Sequence, residues 1–121
     1  MDHKIVERAY RTALDTPGIK RYKLGAVLYD KKTIQCAKGN LRKTHPALAK
    51  LSPFPYLHAE SHCLISHGLD HCSGLDLFVL RLDARGNPTM AKPCDVCLSL
   101  GRYVGLSSIA YTNWLGEIEY V

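Results

Sequence analysis

With 121 residues, 46% of them hydrophobic and 22% charged, the chain has the balance of a folded soluble protein and the length of one domain, expected to span 1–121. That balance excludes a disordered chain, and no run approaches the ~18 apolar residues of a membrane span. The net charge of +5 is uneven: residues 1–50 carry 12 basic and 4 acidic side chains, residues 51–121 carry 4 and 7. A basic first half suits an anionic partner, either a nucleotide phosphate or a nucleic acid, and equally a solvated face with no dedicated partner.

The N-terminal stretch MDHKIVERAY is charged and periodic and lacks the apolar segment of a secretory signal. A cytoplasmic location is therefore expected. Ile5, Val6, Ala9, Tyr10, Ala13 and Leu14 recur at helical spacing over residues 3–15, with Asp2 as the cap. Thr16-Pro17-Gly18 stops that helix. Residues 24–29 and 33–38 read as short strands joined by the turn Asp30-Lys31-Lys32, an antiparallel hairpin. Residues 41–57 hold Pro46, Pro53 and Pro55 and read as a long connection, of the kind that is often functional in small domains.

A helix follows in HAESHCLISHG, ended by Gly68, with Ala59, Cys63 and Leu64 on one side. Residues 75–82, LDLFVLRL, are almost continuously apolar, the pattern of a strand covered on both faces. The segment 83–92 reads as a turn-rich loop. Pro93 opens a helix over 94–104, ended by Gly105. SSIAYTN is a strand, NWLG a turn, and EIEYV an alternating edge strand. The order αββαβαββ, with strand–helix–strand over 75–112, predicts a parallel pair with a right-handed crossover. The expected fold class is α/β: a three-layer α/β/α sandwich around a mixed five-stranded sheet.

Two of these helices start with titratable side chains. One begins His58-Ala59-Glu60, the other Pro93-Cys94-Asp95-Val96-Cys97. Functional groups gather where helix N-termini meet strand ends in such sheets. Two cysteines three apart on one turn can chelate a single ion, and a helix N-terminus favours thiolates. His58 supplies a third ligand, the number that a catalytic zinc takes from protein, with water in the fourth place. Glu60 lies two residues on, about 200° around a regular helix, which suits an acid/base group beside the ion better than a further ligand.

Together, H-A-E at 58–60 and P-C-D-V-C at 93–97 resemble the H-x-E…P-C-x-x-C signature of the zinc-dependent cytidine/deoxycytidylate deaminase superfamily. The likeness runs from residue 24 to 121, element order included. It implies a cytidine-deaminase-like fold with Zn²⁺ held by His58, Cys94 and Cys97, and Glu60 as the catalytic proton shuttle. It further implies that the Ala59 backbone N–H holds the base and that Asn40, after the second strand, contacts the sugar. Lys43-Thr44-His45-Pro46 is similar to the segment that follows this asparagine in small relatives of deoxycytidylate deaminase. The implied reaction is hydrolytic: attack at C4 of a cytosine-type ring, protonation of N3 and of the amine by Glu60, and release of ammonia. A histidine first ligand is shared with deoxycytidylate, tRNA-adenosine and polynucleotide cytosine deaminases, whereas free-cytidine deaminases typically use three cysteines. A small nucleotide or nucleoside is thus the expected substrate, with a single-stranded nucleic acid, a tRNA or another amino-substituted base as the alternative, and a homo-oligomer the expected assembly.

Other readings of the same residues stand beside this one. Cys94 and Cys97 match a thioredoxin-like redox pair, which leaves His58 and Glu60 without a role. A structural zinc needs a fourth donor, for which His62, Cys63 and Cys72 are available. Cys36 and Cys63 lie on apolar faces and read as small core residues. His45, on the long connection, either meets substrate or is solvated. Tyr111 and Trp114 either wall the base pocket by stacking or pack the core or an interface.

Overall fold

The computed structural model describes residues 1–16, 23–40 and 58–121. In the first helix, α1 (His3–Leu14), the Lys4 N–H donates to the Asp2 carboxylate at 2.8 Å, so one of the N–H groups orphaned at a helix start finds a partner. Ile5, Ala9 and Ala13, spaced four apart, form its buried stripe. Strands β1 (Lys23–Asp30) and β2 (Thr33–Gly39) make the expected antiparallel hairpin, with a register shift between Leu28 and Tyr29.

Helix α2 (Ala59–His67) ends at Gly68, whose φ of 101° suits a residue without a Cβ. A short 3₁₀ turn at Leu69–His71 leads to β3 (Asp76–Leu82). β3 pairs antiparallel with β1 along its length and parallel with a later strand, Ser108–Thr112. Between these two strands lies a helix, Asp95–Tyr103, and the chain ends in an antiparallel strand, Ile118–Tyr120.

The sheet has six strands rather than the five expected. The extra one, β4 (Pro88–Thr89), pairs with Arg81 and Leu82 inside the segment read as loop. Its cause is the turn before it. Asp83 accepts the N–H groups of Arg85 and Asn87 at 2.8 and 2.9 Å, and this folds the chain back along β3. Two residues, one of them proline, leave no periodic signal in the sequence. With β4 counted, the helix Asp95–Tyr103 is α3, Ser108–Thr112 is β5 and Ile118–Tyr120 is β6. The strand order is β2-β1-β3-β5-β6, with β4 beside β3.

Helices cover both faces. Ile5, Ala9 and Ala13 of α1 pack with Val27, Phe78, Leu80 and Ala110 on one side. Ala59, Cys63 and Leu64 of α2 pack with Ala26, Leu28, Leu77 and Val79 on the other. The apolar run of β3 is thus shared between two cores, and the three-layer α/β/α reading holds. The topology also fixes where function can sit. β2 and β3 each run antiparallel to β1, so they share a direction and their C-terminal ends open at one edge. α2 comes after β2 and α3 after β3, and both helices start at that edge.

Candidate metal centre and active site

The first described residue before α2, His58, is its N-cap, with extended backbone at φ −65° and ψ 149°. Cys94 is likewise the N-cap of α3, at φ −70° and ψ 167°. Pro93 therefore stands just outside the helix rather than on its first turn. Backbone bonds from His62 N to His58 O and from Leu98 N to Cys94 O, both 2.9 Å, close the two first turns. Neither cap side chain takes the usual capping hydrogen bond. They turn toward each other instead. Because His58 precedes the helical turn, the 200° offset of a regular helix does not separate it from Glu60.

His58 Nδ1 lies 3.5 Å from Cys94 Sγ and 3.4 Å from Cys97 Sγ. All three donor atoms fall within 4.8 Å of one another. Zn–S and Zn–N bonds of about 2.3 and 2.0–2.1 Å, at a tetrahedral angle, separate sulfur from nitrogen by roughly 3.6 Å. The observed spacings fit that ion, and the donor set is one that zinc prefers. Among the described residues the group has three members. Cys97 is buried and its sulfur meets Ser61 Oγ at 3.3 Å, whereas Cys94 is exposed. Beside the group opens a cavity of about 380 Å³, lined by Leu24, Asn40, His58, Glu60, Arg81, Met90, Ala91, Lys92 and Cys94.

No protein-family model matches the sequence, and no curated protein matches it. Solved structures do. Over 94% of its length the chain resembles dCMP deaminase from the cyanophage S-TIM5 in apo form, at 21% identity, a TM-score of 0.58 and 86% coverage of that chain. The structure of dCMP deaminase from the same phage in complex with dCMP and dUMP gives 20% identity, a TM-score of 0.57, and coverage of 94% and 85%. The chain has the cytidine-deaminase-like fold.

In this deaminase-like fold Glu60 occupies the first turn of α2 and is 2% exposed. Its Oε1 is buried with no hydrogen-bond partner among the described residues. Burial pushes its carboxyl above the usual range, against the pull of the nearby His58. Hydrogen bonds from Cys97 and His58 hold the Cys94 thiol far below the ordinary thiol range. The bond to Cys94 raises His58, and Cys97 is raised by Cys94 and by burial. Lowering the Cys94 thiol favours the thiolate, the form a metal binds.

Asn40, just past β2, lines the cavity, and its Oδ1 accepts the Leu24 N–H at 3.1 Å. Ala59 is wholly buried at the first helical position, where the N–H has no partner inside the helix. Tyr111 packs in the core on the α2 side. Trp114 is 73% exposed in the β5–β6 turn, and neither aromatic lines the cavity. His45 and the rest of the 43–46 segment lie outside the described residues. His62 Nδ1 bonds the Gly39 carbonyl at 2.8 Å and ties α2 to the end of β2, apart from the metal group. Cys63 and Cys72 are fully buried, and Cys72 donates to the Leu64 and Gly68 carbonyls.

Sequence reasoning missed Ser61, Arg81 and Lys92. Alternation along β3 puts Arg81 on the face of Leu77 and Val79, the α2 side, which is a signal that was available. Lys92 reaches the cavity from the segment between β4 and α3, for which the sequence offered no periodicity.

Proposed function

We propose that the chain is a zinc-dependent hydrolase that removes the amino group of a cytosine-type base in a (deoxy)nucleotide or nucleoside. Ammonia and the uracil compound are the products. The observation that carries this reading is the meeting of the His58, Cys94 and Cys97 donor atoms within 4.8 Å, beside a buried Glu60. The neighbouring fold solved with dCMP and dUMP supports a mononucleotide-sized ligand.

A zinc ion bound by His58, Cys94 and Cys97 would supply Lewis acidity that makes a water nucleophilic near neutral pH. Glu60 takes the proton that the attacking water gives up as its oxygen bonds C4. It passes that proton to N3. It then moves the remaining proton from the new hydroxyl to the exocyclic amine, and the C4–N bond breaks to release ammonia. Burial suits Glu60 to this traffic, because a carboxyl lifted toward neutrality both accepts and returns protons. The Ala59 N–H and Asn40 hold the base and sugar, in a cavity of about 380 Å³, large enough for them.

A second reading, deamination within a single strand, is favoured by one observation. A basic cavity of about 480 Å³, with Arg8, Arg11 and Lys38 in its wall, shares Asn40 with the first. Ammonia release from dCMP, deoxycytidine, cytidine, adenosine and a short single strand, measured side by side, tests both readings. The first expects turnover of the small compounds with weak salt dependence. The second expects strand turnover that falls steeply as salt rises. Zinc-loaded protein that releases ammonia from none of them would refute the function.

A further inference from the structure

Two thiols outside the metal group meet where β2 packs on α2. Cys36 pairs across the hairpin with Leu28 and packs against the core on the α2 side. Cys63, on α2, is wholly buried, while Cys36 is partly exposed. The Cys63 thiol donates to the Cys36 carbonyl at 3.5 Å, and Cys36 packs against the core cluster that contains Cys63. Lys38, two residues along the same strand, and Arg8 of α1 add positive charge nearby. Both cations line the basic cavity described above, next to the edge strand on which Cys36 is partly exposed.

We propose that Cys36 and Cys63 are a peroxide-reactive pair, in which Cys36 attacks and Cys63 resolves to a disulfide joining β2 to α2. The Cys36 thiolate attacks one oxygen of a hydroperoxide. An S–O bond forms, the O–O bond breaks, and the leaving oxygen departs as water or alcohol after taking a proton. The Cys63 sulfur then displaces the hydroxyl of the Cys36 sulfenic acid. An S–S bond forms, the S–O bond breaks, and a second water leaves with the Cys63 proton. The two thiols are oxidised by two electrons and the peroxide is reduced by two.

The division of roles follows from the surroundings. The hydrogen bond from Cys63, with help from Lys38, the Ala37 N–H and Arg8, brings the Cys36 thiol down to about 7. Its bond to Cys36 and its burial push the Cys63 thiol up, so it waits protonated behind the strand. Cys72 is also raised by burial and is engaged by the Leu64 and Gly68 carbonyls. The bridge would fasten the helix that carries Glu60 to the strand that leads to Asn40.

The test uses the zinc-loaded full chain, dosed with a few equivalents of hydrogen peroxide, alkylated, and mapped by mass spectrometry. A linked Cys36–Cys63 peptide pair is expected, with zinc content unchanged and the free thiols restored by dithiothreitol. Cys36 should react roughly tenfold or more faster than Cys72. Cys36→Ser should consume no peroxide at that dose. Cys63→Ala, dosed at about pH 9 because it lacks the hydrogen bond that lowers the Cys36 thiol, should stop at a Cys36 sulfenic acid that dimedone labels, while the wild type shows little label. Oxidation that starts at Cys94 or Cys97 with loss of zinc would overturn the proposal. So would equal dimedone labelling of the wild type and Cys63→Ala, or an unmodified Cys36. If Cys63→Ala does not fold, the wild-type peptide map and Cys36→Ser decide the matter, since Cys36 lies on a partly exposed strand.

Discussion

Asn40 follows β2 with its side-chain oxygen already committed to the Leu24 N–H, so its place at the cavity wall is fixed before any ligand arrives. If it contacts the sugar, Asn40→Ala should lower kcat/KM for a nucleotide about tenfold, the worth of one lost hydrogen bond in a fixed site. Steady-state kinetics unchanged by the substitution would remove it from substrate binding. Tyr29 offers a residue-scale test of the fold. Burial, then the nearby Asp76, raise its phenol to about 12. An unfolded chain loses that proton near pH 10, before the folded one does, so stability is whole below about pH 10 and falls as pH rises toward about 12. Urea midpoints at these two limits should differ less in Tyr29→Phe than in the wild type. Equal losses would mean that Tyr29 does not titrate as described. At this scale the sequence exposed the metal donors, because the residue types are rare and the spacings specific. It did not expose Ser61 against Cys97, because a serine on the first turn of a helix is ordinary by every local rule.

At the scale of elements, the position of the two helix starts is the decisive feature. Asp2 shows what an ordinary N-cap does, since it takes the helix N–H into its carboxylate. His58 and Cys94 hold cap positions and do not. Their side chains are spent on each other, and the stability that a capping bond would add is forgone, about 1 kcal/mol for a typical cap. The element order and both helix starts were legible in the apolar periodicity and the Pro and Gly punctuation. β4 was not, because its two pairs depend on a turn that Asp83 builds with its side chain. The contact of α1 with β1 was also hidden. A Cβ on Gly25 would overlap the Ala9 carbonyl oxygen and come within 2.9 Å of the Ala13 nitrogen. Backbone cannot yield as a flexible side chain does, so Gly25→Ala should cost about 3 kcal/mol, the upper part of the overpacking range. Thermal unfolding of that variant with an unchanged Tm would contradict the packing of α1 on the sheet.

For the whole molecule, one sheet serves two cores, and the site sits where the strands β2 and β3 end together. The apolar run of β3 foretold burial on both faces. Its share between the cores needed the sheet order, which pairing alone decides. The site joins α2 and α3, elements that follow different strands, through three donors. A zinc held there binds the folded chain and not the separated segments, so it stabilises by mass action. Removing it with a chelator should lower Tm by several degrees, and added zinc should restore it. A Tm indifferent to chelation would place the metal elsewhere.

The reading of the whole molecule rests on Glu60 working beside that ion, and ammonia release by the zinc-loaded wild type and Glu60→Gln tests it most directly. Steady release from a cytosine nucleotide, cut by about 10²–10⁴-fold in Glu60→Gln with zinc content unchanged, is the predicted result. Release in Glu60→Gln at the wild-type rate, or none from the loaded wild type, would contradict it.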